Sequence, residues 1–141
     1  MMASEIENIE RLMRKFERMS PAVRKATGQR VFFEAEAMAA EMITIAPRDD
    51  DPNNGEQIRD HIYTEDGILG DVSMVVIADA KDARGRPKAP PVELGHKDAK
   101  SGKIVPAEPF FWPVVRLRRA GAARRIKSAM SRAVKKEAKG K

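Results

Sequence analysis

The hydrophobic pattern opens with a short helical period near the N-terminus. In residues 4–19, apolar positions recur at three- and four-residue spacing between charged ones, which is the period of an amphipathic helix. The repeating residues are Ile6, Ile9, Met13 and Phe16. Their stripe is narrow, as is typical of a helix that packs on one partner. Residues 4–19 are therefore predicted as a peripheral helix.

A longer helical period predicts the main core helix over residues 21–46. Its start is favoured by Ser20 and Pro21, because serine caps helices well and proline suits the first helical position. Its end is set by Pro47, which disfavours helical geometry in the preceding residue. The predicted inner face comprises Val31, Ala35, Met38, Met42 and Ile45, and it is widened by Phe33, Ala37 and Ala40.

Alternating and apolar runs predict a small sheet with long loops over residues 57–105. Residues 57–64 alternate moderately in polarity, and residues 71–79 form the clearest strand. A turn is predicted between them at Glu65-Asp66-Gly67. A further short strand is predicted at residues 104–105.

Polar segments interrupt this sheet. Residues 48–55 form an acidic loop rich in turn formers, and residues 96–103 form another polar loop. Residues 80–91 are charged and rich in glycine and proline, so they are predicted as a mobile excursion. A short extended piece is predicted at residues 91–95.

The last part of the chain predicts a long basic helix over residues 109–137. Proline is tolerated only in a first helical turn, so Pro113 places the start near Pro109 or Phe110. The predicted apolar stripe comprises Val114, Leu117, Ala120, Ala123, Ile126, Met130 and Val134. The opposite face is almost wholly cationic, with Arg116, Arg118, Arg119, Arg124, Arg125, Lys127, Arg132, Lys135 and Lys136.

The order of these elements, helix, helix, strands and helix, predicts an α+β fold. A small antiparallel sheet is expected to be packed on one face by a long N-terminal helix and a C-terminal helix. The chain has 141 residues, which is the size of one domain, so residues 1–141 are predicted as a single domain.

Charge is distributed unevenly along the chain. The net charge is +6, but the segment from Arg116 to Lys141 alone holds eleven Lys or Arg and one acid, Glu137. The rest of the chain is therefore net negative. The cationic end can attract polyanions or an acidic surface. The basic run favours contact with solvent or protein, while DNA contact by Arg116, Arg118, Arg119, Arg124, Arg125, Lys127 and Arg132 stays open.

Composition excludes several kinds of chemistry. The chain has no cysteine, so it has no disulfide, no thiolate metal ligand and no cysteine nucleophile. It has no apolar run of membrane-spanning length and no signal-peptide pattern at its start, which favours a cytoplasm or a particle assembled there.

No constellation of catalytic or metal-binding residues stands out. The neighbours Asp49, Asp50 and Asp51 diverge, which favours a solvated acidic loop over a calcium site with alternating ligands. His61 and His96 lack zinc-ligand spacing. The pairs Asp60–His61 and Glu93–His96 can be drawn as acid–base pairs, but polar side chains that simply face solvent are the better interpretation. A protein without enzymatic activity, cofactor or metal is predicted.

Three of the six Phe and Trp residues lie side by side at Phe110-Phe111-Trp112. Adjacent residues of a helix cannot all point in one direction. At least one of these aromatic side chains is therefore expected to face outward or to meet a partner, and an exposed large aromatic usually marks an interface.

Two segments then complete a pattern with a known likeness: Val92-Glu93-Leu94-Gly95, and Pro106-Ala107-Glu108-Pro109-Phe110-Phe111-Trp112-Pro113. Ile45-Ala46-Pro47, Gly55 and a strand at residues 58–62 precede them. Over roughly residues 20–137 the chain resembles the head–tail joining, or tail-completion, family of long-tailed double-stranded DNA phages. It departs from that family at His96, where Thr or Ser is frequent, and in a longer loop at residues 49–54.

The resemblance implies a small α+β subunit of a homo-oligomeric ring, expected as a hexamer. Such a ring would lie in the virion at the head-proximal end of the tail, assembled in the host cytoplasm. Its partners would be the tail tube or terminator, neck or adaptor proteins, and passing DNA, with no membrane. The candidate interface residues are Glu93, Leu94, Gly95, Pro109, Phe110, Phe111 and Trp112. A basic, non-enzymatic DNA-binding protein is the alternative, and a small enzyme with an unrecognised site is a distant third.

Overall fold

The computed structural model describes residues 2–140 of the chain, with side chains from residue 7 onward. The predicted stripe residue Ile6 thus lies outside the described side chains. The helices are α1 (Met2–Glu17), α2 (Pro21–Ile45), α3 (Ala89–Leu94) and α4 (Trp112–Lys139), with a 3-10 turn at Ile58–His61. The strands are β1 (Ile62–Gly67), β2 (Gly70–Ala78), β3 (His96–Lys97) and β4 (Ile104–Val105).

Hydrogen bonds pair the strands in two small antiparallel hairpins. Strand β1 neighbours β2 across a two-residue turn, and β3 neighbours β4. In the second hairpin, His96 lies opposite Val105 and Lys97 lies opposite Ile104. Helices pack against the first hairpin, so the predicted α+β class is confirmed.

The chain forms two compact units. The first comprises Met1–Glu34, Asp66–Met74 and Gly121–Lys141, and the second comprises Ala35–Glu65 and Val75–Ala120. Helices α2 and α4 and the β1–β2 hairpin contribute residues to both. The single domain expected from the sequence stays a prediction.

The second unit has a contiguous apolar core. Three of its largest contributors, Met42, Phe110 and Val114, are almost wholly shielded from solvent. Around them lie Ala39, Ala46, Ile58, Ile62, Ala80 and Ala89. Residues of α2, β1 and α4 therefore meet here, and burying such apolar side chains contributes about 1.5–3 kcal/mol each for the larger ones.

The first unit has a thinner core in which small and polar residues take part. Val23, Val72 and Ala122 are its buried apolar residues, and Thr27 is buried beside them. The hydroxyl of Thr27 donates to the carbonyl of Val23 at 2.8 Å, so its burial leaves no unsatisfied donor.

The bounds of α2 were predicted within one residue, but its inner face was only half right. Ala35 and Met42 are buried as expected, whereas Phe33, Ala40 and Ile45 are exposed. The inner face turns instead toward Glu34, Ala39 and Ala46. Because the buried face of α2 contains the charged residue Glu34, the spacing of apolar residues alone does not identify that face.

The predicted stripe of α4 was also misplaced. Leu117, Ala120, Ala123 and Val134 are exposed, although Val114 is buried. Ala122 is the buried alanine of this helix. The helix begins at Trp112 rather than at Pro109 or Phe110, because its first turn is capped from outside, as described below.

The first hairpin is shifted relative to the prediction. Residues 57–61 form a turn rather than strand, so β1 starts at Ile62, and the connection lies at Ile68-Leu69 instead of Glu65-Asp66-Gly67. The amide of Leu69 donates to the Ser73 hydroxyl at 2.8 Å, and Gly70 has a φ of 71°. These two features close the turn at that point.

The predicted excursion at residues 80–91 is a hydrogen-bonded turn followed by the start of α3. The extended piece predicted at residues 91–95 is wrong, because α3 continues to Leu94. The carboxylate of Asp82 accepts the amides of Arg84 and Arg86, which holds the pKa of Asp82 below its usual value. Lys81 pairs with Pro87 in an isolated bridge. The predicted loop at residues 96–103 is likewise a turn, since it closes the β3–β4 hairpin through the bond from Asp98 N–H to the Lys103 carbonyl.

One close backbone approach in the first unit gives a prediction. A Cβ at Gly28, inside α2, would lie 2.3 Å from the carbonyl oxygen of Asp71. Gly28→Ala should therefore destabilise the protein by about 1–3 kcal/mol, although alanine normally favours a helix. Thermal unfolding followed by circular dichroism measures this effect.

Gly140→Ala is the matched control, because a Cβ there would lie 3.6 Å from its nearest neighbours, the carbonyl oxygens of Glu137 and Lys136. It should change the unfolding temperature little. Equal effects of the two substitutions would contradict the close approach of Gly28 to Asp71.

Candidate subunit interface

The carboxylate of Glu93, at the end of α3, binds the start of α4. It accepts the amides of Phe110 at 2.9 Å, Phe111 at 3.1 Å and Trp112 at 3.0 Å. Amides at the start of a helix have no partner within that helix, and a negative charge there is favourable. Glu93 thus acts as a helix cap supplied by a distant segment.

Neighbouring backbone groups fix the position of Glu93. The amide of Glu108 donates to the carbonyl of Val92 at 2.9 Å. Gly95 has a φ of 78°, and a Cβ there would lie 2.9 Å from the amide nitrogen of Ala107. Glycine is therefore required next to this contact, both for its conformation and for its size.

The three adjacent aromatic side chains take different directions. Phe110 is fully buried in the core of the second unit, while Trp112 remains 53% exposed. Phe111 is half-buried and packs edge-on against both, with ring centroids 6.4 Å from Phe110 and 5.2 Å from Trp112. The sequence left the direction of each ring open. Glu93 sets these directions, because its carboxylate binds the backbone amides of all three residues.

The candidate interface residues consequently separate into two groups. Glu93 and Phe110 are buried within their own chain, so they shape the segment rather than present a surface. Leu94 is 77% exposed and, with Trp112, offers a large apolar side chain to solvent. Pro109 is exposed, and Gly95 and Phe111 are half-buried.

A buried lysine organises the acidic loop that was predicted to be solvated. The ammonium of Lys88 donates to the Asp49 carboxylate at 2.8 Å and to the carbonyls of Asn54 and Glu56 at 3.1 and 2.9 Å. Three donors meet three oxygens, so the amine is satisfied although Lys88 is buried.

The same contact lowers the pKa of Asp49, since the charged carboxylate accepts a hydrogen bond from Lys88. Asp50 and Asp51 are exposed. Within residues 2–140, no group of three or more His, Cys, Asp or Glu side chains is placed to hold a metal ion.

His61 takes part in a polar cluster of the second unit. Its Nε2 lies 2.9 Å from the Glu56 carboxylate, and its Nδ1 lies 3.8 Å from that of Asp79. The Tyr63 hydroxyl donates to Asp79 at 2.5 Å, which raises the pKa of Tyr63 to about 12. The cluster joins residues of β1 to the end of β2.

Glu93 and His96 do not form the acid–base pair that the sequence left as the less favoured interpretation. The favoured one, surface residues, is wrong for Glu93, which is buried. The Glu93 carboxylate is occupied by the start of α4, and Nδ1 of His96 lies 3.4 Å from the carbonyl of Pro91. Glu93 and His96 are therefore close in the sequence but bind different partners in the fold.

Two arginines of the cationic helix bind acids of their own chain. In the first unit, Arg125 makes a bidentate pair with the buried Glu34 at 2.5 and 2.8 Å. This contact lowers the pKa of Glu34, to which Arg30 adds a further bond at 2.9 Å. In the second unit, Arg118 binds Glu41.

These pairs revise the predicted contact surface. Arg118 and Arg125 lie against α2 within their own units and are not free for DNA or for an acidic partner. The other candidate cations are exposed, namely Arg116, Arg119, Arg124, Lys127 and Arg132.

No protein-family model, curated protein or solved structure matches this chain. Among the described residues, no helix combines the length and apolar character that a bilayer crossing needs.

Replacement of the capping carboxylate should loosen the start of α4. In Glu93→Gln one acceptor oxygen and the negative charge are lost while three amides still need partners, so we expect destabilisation by about 2–3 kcal/mol. Urea unfolding measures the loss, and faster hydrogen exchange at Phe110 and Trp112 locates it.

Glu108→Gln is the matched control for this substitution, because Glu108 is an exposed glutamate of the same segment. It should leave both measurements unchanged. Equal stability of Glu93→Gln and the wild type would refute the capping role.

Removal of the Lys88 ammonium should destabilise the acidic loop at neutral pH. Lys88→Met removes the ammonium that binds one carboxylate and two carbonyls, which costs about 2–4 kcal/mol. The exposed Lys100→Met provides the control. Urea unfolding at several pH values tests both variants.

The difference in the free energy of unfolding between wild type and Lys88→Met should also depend on pH. Because the pKa of Asp49 is lowered in the folded protein, its contribution is complete above the usual value of 3.8 and is lost as pH falls through the lowered pKa. The difference should therefore narrow below pH 3.8. A difference that is constant from pH 7 to the acid limit of folding would contradict the ion pair.

Proposed function

We propose that this chain is a structural, non-enzymatic subunit of a homo-oligomeric ring at the head–tail interface of a phage-like particle. Its position would be that of a head–tail joining or tail-completion protein. The resemblance depends mainly on two short segments, residues 92–95 and 106–113. The Glu93 carboxylate bonds one segment to the other, which supports treating them as one structural element.

The observation that carries the proposal is the exposure of large apolar side chains beside this rigid element. Leu94 follows Glu93, and Trp112 is one of the residues whose amide Glu93 accepts. Both are more than half exposed, as is Ile104 on β4. Exposed apolar side chains on a fixed backbone are suited to the centre of a protein–protein interface.

The partners would be further copies of this chain in a hexamer, together with the tail tube or terminator and with neck or adaptor proteins. The ring would belong to the virion and would be assembled in the host cytoplasm. The exposed cations of α4 suit an acidic neighbouring surface or DNA that passes through the ring.

A sequence-independent DNA-binding protein is the second candidate function. It is favoured by the exposed cations of α4, which could neutralise phosphates. Such a protein would bind duplex DNA as a monomer, with an affinity that falls steeply with salt. Self-association is therefore the property that separates the two candidates.

Trp112→Ala should reduce self-association while the protein stays folded, because about half of the indole is exposed. We expect the wild type to sediment as a closed oligomer and the variant to shift toward monomer by at least tenfold in the midpoint concentration, which corresponds to about 1.4 kcal/mol. Analytical ultracentrifugation measures the shift, and circular dichroism checks folding.

Ile68→Ala is the control, since Ile68 is exposed in the β1–β2 turn. It should sediment like the wild type. A wild type that remains monomeric at high concentration and binds duplex DNA with a steep salt dependence would support the second candidate instead.

A further inference from the structure

The first unit contains an open groove between α2 and α4, with a volume of about 730 Å³. Its floor consists of alanines that recur every four residues on each helix. They are Ala22 and Ala26 on α2, and Ala129 and Ala133 on α4. Small residues at this spacing leave room for another helix to approach closely.

The groove is lined by an aromatic ring on its α2 side and by cationic side chains on both sides. Phe33 is exposed, and the Arg30 guanidinium lies 4.8 Å from its ring centroid. Arg132 and Lys136 line the other side. Glu137 lies among the lining residues but accepts a hydrogen bond from Ser20 at 2.7 Å.

A smaller cleft of about 520 Å³ adjoins this groove, since Arg30 and Arg132 line both. Arg124 and Arg125 also line it. Because Arg30 and Arg125 bind Glu34, the guanidinium groups left for an acidic partner are those of Arg124 and Arg132. The Nε of Arg30 is buried and has no hydrogen-bond partner among the described residues. An apolar floor beside a concentration of positive charge suits an amphipathic helix with an acidic flank.

Helix α1 has the complementary character. Its apolar residues Ile9, which belongs to the predicted stripe, and Leu12, which lies beside that stripe, are exposed. Glu10 and Glu17 are seven residues apart, so they lie along the same flank of this stripe. No residue of α1 is among those that line the groove in the described part of the chain.

We propose that α1 is an assembly arm that docks in the alanine-floored groove of a second copy of this chain. Ile9, Leu12 and Phe16 would pack on the alanines, and Glu10 would face the arginine cleft. This inference rests on the proposed self-assembly and names the contact that produces it.

The dimensions and the symmetry suit this arrangement. The span from Ile9 to Phe16 is about 10 Å along a helix, and the groove from Ala22 to Phe33 is about 17 Å. Arm and groove are different surfaces, so the proposed contact is head-to-tail. Such a contact forms a closed ring where the rotation between copies closes, and an open filament where it does not.

The absence of cysteine from the sequence permits a direct test in the full-length protein. Leu12→Cys is mixed with Ala133→Cys, and separately with Ala26→Cys, before treatment with a short bismaleimide. Only a contact between two copies can join the two variants, so we expect a covalent heterodimer. Ala99→Cys, an exposed alanine in the β3–β4 turn, replaces the groove variant as the control.

A second variant tests the groove without a cross-linker. Ala133→Gln fills the floor and should weaken self-association at least tenfold, whereas Ala123→Gln, at an exposed position of α4 outside the groove, should leave it unchanged. Circular dichroism checks folding. If Ala133→Gln does not fold, the cross-link between Leu12→Cys and Ala26→Cys tests the docking instead: heterodimer supports it, and no heterodimer above the control contradicts it.

The outcomes separate this inference from the proposed function. If the protein assembles but gives no more heterodimer than the Ala99→Cys control, the docking of α1 in the groove is wrong. The ring proposal would then still stand. A wild type that stays monomeric at every concentration would overturn both. Heterodimer formation together with loss of assembly in Ala133→Gln is the result expected.

Discussion

The bonds from the Glu93 carboxylate to the start of α4 connect the local structure of this protein to its proposed role. Without them, three consecutive amides in a segment with no local capping side chain would lack partners. With them, Phe110 is directed into the core and Trp112 toward solvent. One carboxylate, through its hydrogen bonds to backbone amides, thereby determines which side chains remain exposed to other molecules.

Other charged side chains are also buried, because partners within the chain satisfy them. Glu34 is buried against Arg125, and Lys88 is buried among three oxygens of the acidic loop. A buried charge is tolerated where its partners satisfy it, and loss of one partner is costly. The fold therefore depends on a few specific pairs, since much of its core is built from alanine, which contributes little apolar area.

Local features were predictable from the sequence, and features made by distant partners were not. Ser20 and Pro21 start α2 as predicted, and the Ser20 hydroxyl accepts the amide of Val23. The inner face of α2 was misjudged because Glu34 counts as a surface residue until its pairing with Arg125 is known. Glu93 was selected as a motif residue, but its capping role depends on a partner 17 residues away. The absence of a polar side chain at residues 109–111 was the signal that a distant cap was needed.

Native mass spectrometry of the wild-type protein tests the central claim, self-assembly into a closed ring, most directly. The account predicts one dominant oligomer of fixed stoichiometry, expected to be six, that forms without nucleic acid. A monomer at all concentrations, or a mixture of open oligomers that grows without limit, would contradict it.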